Sequence, residues 1–152
     1  MELYKNESLF WIYKSAEQNK TANESIKGQN GQKKEKETMA RHWEPYIQIF
    51  LIQEGEVYFE CNGRQMYAKK GQVVIINCNE MHFYKALIPK VSYVIFCFYP
   101  SFLGEKSSDI CMEKYLIPIK ENRIVFQSLI QKEGEIQLLL NELLKEYETT
   151  LS

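Results

Sequence analysis

No stretch of this 152-residue chain approaches the roughly 18 consecutive apolar residues that a membrane-spanning helix needs. Its N-terminal run, MELYKNESLF, has neither the basic start nor the apolar centre of a secretory signal. A positive excess is missing as well: 19 Lys and Arg stand against 20 Asp and Glu, a formal net charge of -1. The chain as a whole therefore lacks the field that non-specific phosphate-backbone binding requires. Four cysteines, Cys61, Cys78, Cys97 and Cys111, include no C-x-x-C pair, which favours reduced, partly buried thiols over disulfides or a zinc cluster. These absences together predict a cytoplasmic protein with no membrane role. In that setting the N-x-[ST] matches at Asn6 and Asn23 carry no weight.

What is present fills a single domain, since 45% of the residues are apolar, with ten Tyr and eight Phe among them. Residues 9–14, LFWIYK, have the aromatic and β-branched composition of a first strand or an ordered N-terminal arm. From Ser15 to Arg41 the chain turns polar, with almost nothing to bury, and a mobile loop is expected over 15–41. Its lysines alternate with glutamates in GQKKEKE, which is a solvated pattern and not a nucleic-acid patch. Between Tyr46 and Phe98 short apolar runs alternate with turn signals, the pattern of an all-β sandwich or barrel. Asn62-Gly63 between YFEC and RQMYA is the strongest of these, because a type I′ hairpin needs positive φ at both central residues. The runs VVII and VSYVIFCF are apolar on both faces, so each strand should be covered twice. Residues 107–116 suggest a short helix capped by Ser or Asp, and RIVFQ a last short strand. After Gly134, Ile136, Leu140, Leu143 and Tyr147 recur at helical spacing, with Leu139 and Leu144 widening the stripe. A helix this short is marginal alone, so a barrel flank or a second subunit must receive that stripe.

Two blocks carry the functional signal. H-W-x-x-x-x-Q-I-x-x-I-x-x-G-E runs from His42 to Glu56, and G-Q-V-V-I-I-N-C-N-E-M-H from Gly71 to His82. With F-x-F-Y-P-S-F-L from Phe96 to Leu103 and the leucine-rich helix after Glu135, this order resembles the N-terminal cupin domain of AraC-type transcription regulators over most of residues 42–150. The resemblance implies a mainly β fold: a cupin or jelly-roll antiparallel β-barrel over residues 1–131, followed by C-terminal α-helices, with residues 132–152 as the dimerisation helix. It implies further that the barrel binds a small-molecule effector, a sugar among the candidates. Two copies would pair through Ile136, Leu139, Leu140, Leu143, Leu144 and Tyr147. DNA would be reached only through a helix-turn-helix domain that is absent from this chain. In a sugar-binding relative an N-terminal arm folds over the ligand; Tyr4, Phe10, Trp11 and Tyr13 are placed to act so here, although an ordinary first strand is the preferred reading.

Cupin enzymes use the same blocks to hold a metal. Here His42 and His82 match the first and last histidine ligands, while Glu44 replaces the second histidine and Gln48 stands for the glutamate. A neutral amide is a poor metal ligand, so the expectation is a domain that binds, with no catalytic residue, metal or cofactor. The alternatives are a metal-dependent isomerase or oxygenase using His42, Glu44 and His82, and a stand-alone sugar-binding barrel. Alternation along the strand puts Gln48, Phe50 and Ile52 inside with His42 and Glu44, and Ile47, Ile49 and Leu51 outside under a helix. The expected ligand-contacting set is His42, Glu44, Tyr46, Gln48, Phe50, His82 and Tyr84, with Trp43 and Tyr46 as flat walls. A buried amide such as Gln48 is equally at home bonded to backbone or water, and His82 could instead hold the Asn77–Glu80 turn.

Overall fold

A computed structural model describes residues 8–15, 40–104 and 108–151. The predicted Tyr4 contact and nearly all of the 15–41 loop lie outside the described residues. Among the described residues, seven strands of four to eight residues and one two-residue strand form two sheets, and every pairing is antiparallel. One sheet has the order β1-β7-β2-β5-β8, built from Phe10–Lys14 (β1), Ser92–Phe98 (β7), Ile47–Glu54 (β2), Val73–Ile76 (β5) and Leu129–Ile130 (β8). The other has the order β4-β3-β6, built from Arg64–Lys69 (β4), Glu56–Cys61 (β3) and His82–Ala86 (β6). The chain is thus mainly β, as expected, but the strands close as two facing sheets and not as one continuous ring of hydrogen bonds.

Alternation decides what lies between the sheets. Phe50 and Ile52 of β2, Val57, Phe59 and Cys61 of β3, Val74 and Ile76 of β5, and Ile95 and Cys97 of β7 share one buried cluster. The opposite face of the larger sheet carries Ile47, Leu51, Val73, Ile75, Val94 and Phe96, which pack with Leu140 and Leu144. β5 is buried at all four positions for this reason, and its all-apolar run is the sequence signature of double coverage. The β3–β4 hairpin turns at Asn62 and Gly63, with φ of 48° and 78°. Both central residues are left-handed, as the type I′ turn requires.

Helical structure follows the last long strand. Ser108 caps a short helix α1 (Asp109–Cys111) by accepting from the Cys111 amide, and the helix continues through a π turn (Met112–Leu116) into α2 (Ile117–Lys120). RIVFQ is not a strand. Asn77 captures its backbone, accepting from Phe126 N at 2.8 Å and donating to Phe126 O at 3.1 Å. Ladder pairing begins only at Leu129, opposite Val74. The long helix α3 (Glu135–Leu151) lies on the outer face of the larger sheet, with Leu140 and Leu144 buried and Ile136 packed beside them. Gln137, also buried, accepts from Gly134 N and donates to the Gly71 and Lys132 carbonyls, stitching the start of the helix to the β4–β5 turn. At the far end Tyr147 meets the Phe10 ring edge-on at 6.2 Å and Glu148 pairs with Lys14. The chain's own sheet therefore receives Leu140 and Leu144, while Leu139 and Leu143 remain 55% and 38% exposed. No helix of the described residues is long and apolar enough to cross a membrane.

Candidate functional site

One end of the sandwich gathers most of the residues picked from the sequence. The tight turn after β5 reverses the chain at Asn77–Glu80, so Ile76 and His82 leave and re-enter at the same end. Gln48 is the register partner of Ile76 on one side and of Cys97 on the other. The segment ahead of β2 is drawn across this end by backbone bonds: His42 N to His82 O at 3.1 Å, His82 N to His42 O at 2.8 Å, and Asn79 N to Glu44 O at 2.8 Å. That bridge sets the two imidazole rings 4.3 Å apart. His42, Glu44 and His82 are therefore brought together, with Gln48 on the neighbouring strand between Ile76 and Cys97.

The aromatic wall is built partly from residues the strand pattern had placed elsewhere. Trp11 packs edge-on against Tyr46 at 4.7 Å and lies 5.9 Å from Tyr99, and Tyr46 lies 5.5 Å from Tyr99. Trp11 thus belongs to a regular strand and lines the site at once. Tyr99, just past β7, belongs to the F-x-F-Y-P-S-F-L run, but nothing in that run marked it as a wall residue. Trp43, expected as a wall, is 56% exposed and turns away. Phe50 and Tyr84 lie beneath this end and not in its mouth. Phe50 is fully buried, and its ring meets Phe59 and Tyr84 edge-on at 5.0 Å each. Phe50 fills core, and Tyr84 continues that core towards Tyr93, 5.9 Å away.

The electrostatics fix several protonation states. His82 Nδ1 sits 2.8 Å from the Glu80 carbonyl, which can only accept, so Nδ1 carries the hydrogen. Burial, above all, holds the His82 pKa below that of an ordinary imidazole, and His42 adds to this; the Glu80 carbonyl bond and carboxylate oppose it. The ring is accordingly neutral, and its Nε2 is a bare acceptor. Among the described residues that buried atom has no hydrogen-bond partner, and neither has Gln48 Oε1. His42 Nδ1 donates to Ala40 O at 2.9 Å, and its Nε2 stands 3.9 Å from Glu44 Oε1. Burial raises the Tyr46 phenol above its usual range, with the Glu44 carboxylate adding to the shift. Burial likewise pushes the Cys97 thiol up to about 12, although its bond to Gln48 pulls the other way.

A polar network that sequence reasoning did not weigh supports this end. Glu80 is 4% exposed; its carboxylate accepts from Asn77 N at 2.9 Å and from Arg64 Nη2 at 3.3 Å. Arg64 also donates to Ser128 Oγ at 3.1 Å. His82 thus both holds the turn, through Nδ1, and presents Nε2 inward. Arg64, Asn77 and Glu80 of this network line a cleft of ≈ 340 Å³ together with Asn122, Val125 and Phe126. A second, of ≈ 460 Å³, opens on the outer face of the smaller sheet over Tyr58, Tyr67 and Phe83. Neither reaches the inner atoms of Gln48 or His82. Among the described residues, no three His, Cys, Asp or Glu side chains are grouped so as to hold a metal ion. His42, Glu44 and His82 do not make the facial set that metal chemistry would need.

Comparison with known proteins gives one family and several partial structural likenesses. The AraC-like ligand binding domain matches residues 30–150. No curated protein sequence matches the chain. Among solved structures, a conserved protein of unknown function from Streptococcus pyogenes aligns at 16% identity and TM-score 0.39, over 41% of this chain and 54% of that one. KdgF from Halomonas sp. aligns at 20% identity and TM-score 0.37, over 39% and 55%. A predicted oxalate decarboxylase from Thermotoga maritima gives 22% identity and TM-score 0.37, over 40% and 54%. The chain spans about half the length of these structures.

Proposed function

Since this chain belongs to the family of AraC-like ligand-binding domains, we propose that it senses a small-molecule effector at the His42–His82 end of its two sheets and passes the state of that site to a DNA-binding domain of the same regulator. The observation that carries this is the pair of buried acceptors without partners among the described residues, Gln48 Oε1 and His82 Nε2, at an end walled by Trp11, Tyr46 and Tyr99. Buried polar atoms are nearly always hydrogen-bonded, and leaving one bare costs about 1–3 kcal/mol. A ligand that bonds both recovers that cost on binding.

The chemistry favours binding over reaction. The thiol bonded to Gln48 is held protonated, and His82 has no nucleophile to activate, because its one bonded nitrogen faces a carbonyl. Coupling to a partner runs through α3. Its inner face is spent on the sheet, and Leu139 and Leu143 form an exposed stripe suited to a second copy. An effector changes the regulator only as far as it favours one arrangement of that pair over another.

Thermal-shift and calorimetric titrations with sugars and aromatic compounds test the site. Stabilisation that is lost in both Gln48→Leu and His82→Phe supports it, and binding that survives both substitutions refutes it. Light scattering tests the pairing: a dimer that becomes monomeric in Leu139→Asp/Leu143→Asp is expected.

A further inference from the structure

The same two atoms define what kind of molecule fits. His82 Nδ1 is committed to the Glu80 carbonyl at 2.8 Å, so only a lone pair points inward from Nε2. Gln48, the register partner of Cys97, leaves its buried Oε1 without a partner among the described residues. Glu44, whose Oε1 stands 3.9 Å from His42 Nε2, adds a third acceptor to the rim. Each of these three atoms accepts a hydrogen and donates none. The cations on adjoining segments are already used: Arg41 bonds both oxygens of Glu60 at 2.9 and 3.1 Å, and Arg64 bonds Glu80 and Ser128. A carboxylate or phosphate entering here would lose its water, find acceptors on several sides and meet no free guanidinium. A hydroxyl or an ammonium group would find what it lost, and the faces of Trp11, Tyr46 and Tyr99 favour an apolar ring or a cation beside it.

We propose that the effector is a non-anionic, donor-rich molecule whose hydroxyl or amine hydrogens bond Gln48 Oε1 and His82 Nε2. This rests on the reading of that end as the effector site.

The chain has two histidines, so nitrogen NMR of histidine-labelled protein resolves both rings, with His42→Gln assigning them. The free protein at neutral pH is expected to show His82 neutral and protonated on Nδ1; an Nε2-protonated ring would overturn the proposal before any ligand is added. Two matched sets then probe the site on one skeleton each: glucose, glucosamine and gluconate, and benzyl alcohol, benzylamine and benzoate. In whichever set binds, the alcohol or amine should shift the His82 Nε2 resonance, and the carboxylate should bind at least about tenfold more weakly. A carboxylate that binds as well as its alcohol and moves Nε2 would overturn the donor requirement while leaving the effector site standing. If none of the six moves either ring, the effector reading itself fails, and the donor requirement with it.

Discussion

Helix α3 carries leucines of two kinds, and substituting them one at a time separates them. Leu140 and Leu144 are 6% and 8% exposed and pack against Ile47, Leu51 and Phe96. Truncating either to alanine removes three buried carbons and opens a cavity between helix and sheet, at a cost of about 2–5 kcal/mol. For a domain of this size each kcal/mol moves the midpoint of melting by about 2–4 °C, so a cost near the middle of that range lowers Tm by roughly 10 °C. Leu139 and Leu143, on the outer flank, should change monomer stability by no more than about 0.5 kcal/mol. If Leu139 and Leu143 hold a second copy, their variants will show a loss of Tm that grows with protein concentration in the wild type and vanishes on dilution, because association stabilises only the associated fold. Thermal unfolding followed by circular dichroism at two concentrations a hundredfold apart reads both effects. A Leu139→Ala loss equal to that of Leu140→Ala and independent of concentration would refute the placement of the helix on its own sheet.

Three further outcomes follow from particular residues. Gly55 and Gly63 share a left-handed φ, 82° and 78°, but a Cβ on Gly55 would stand 2.5 Å from Lys90 O and 2.8 Å from Val91 Cγ2, whereas nothing lies within 4 Å at Gly63. Gly63→Ala should therefore cost only the backbone term of about 1–2 kcal/mol, and Gly55→Ala clearly more; equal chemical-denaturation midpoints would contradict the packing at Gly55. His82 has a folded pKa below its unfolded value, so the unfolded chain takes up the proton first as pH falls. Its contribution to stability is complete above the ordinary histidine range, near 6.5, and is lost as pH falls from there towards the folded pKa. Unfolding midpoints between pH 7.5 and 5 should fall in the wild type and fall less in His82→Phe; identical slopes would remove His82 from the account. Cys111 is exposed while Cys61, Cys78 and Cys97 are buried, with Cys61 and Cys97 both pushed up to about 12 by burial. Iodoacetamide on the native protein at pH 8 should modify one thiol by mass, and rapid modification of two or more would show that the core opens readily.

The sheet interior was legible because strand alternation is a strict two-residue period. Gln48, Phe50 and Ile52 had to share a face, and Ile47, Ile49 and Leu51 had to share the other, once one inward residue was known. Asn62-Gly63 announced its own hairpin through backbone sterics. RIVFQ misled because its composition suits a strand, while the competing bonds from Asn77 to Phe126 come from 49 residues away and leave no local trace. Helical periodicity placed Leu140 and Leu144 on one stripe with Leu139 and Leu143, yet a stripe wider than its docking surface does not say which edge is covered. At the site, the backbone bridge brings His42, Glu44 and His82 together, while Tyr46 stands with Trp11 and Tyr99 and Gln48 lies on β2 between Ile76 and Cys97. Phe50 and Tyr84 were placed one layer too high because alternation gives the face of a residue and not its depth. Trp11, weighed for the site only as part of an arm over the ligand, and Tyr99 meet through the pairing of β1 with β7 and the bond from Tyr99 N to Leu9 O, contacts across more than eighty residues that no local pattern encodes.

The most direct test is a crystal structure of the protein grown with the tightest binder from the six matched compounds. Ligand density within hydrogen-bond distance of both Gln48 Oε1 and His82 Nε2, against the rings of Trp11 and Tyr46, is the predicted result. Density instead in the cleft beside Arg64 and Asn122, or over Tyr58 and Tyr67 on the outer sheet, with the His42–His82 end unchanged, would contradict the account.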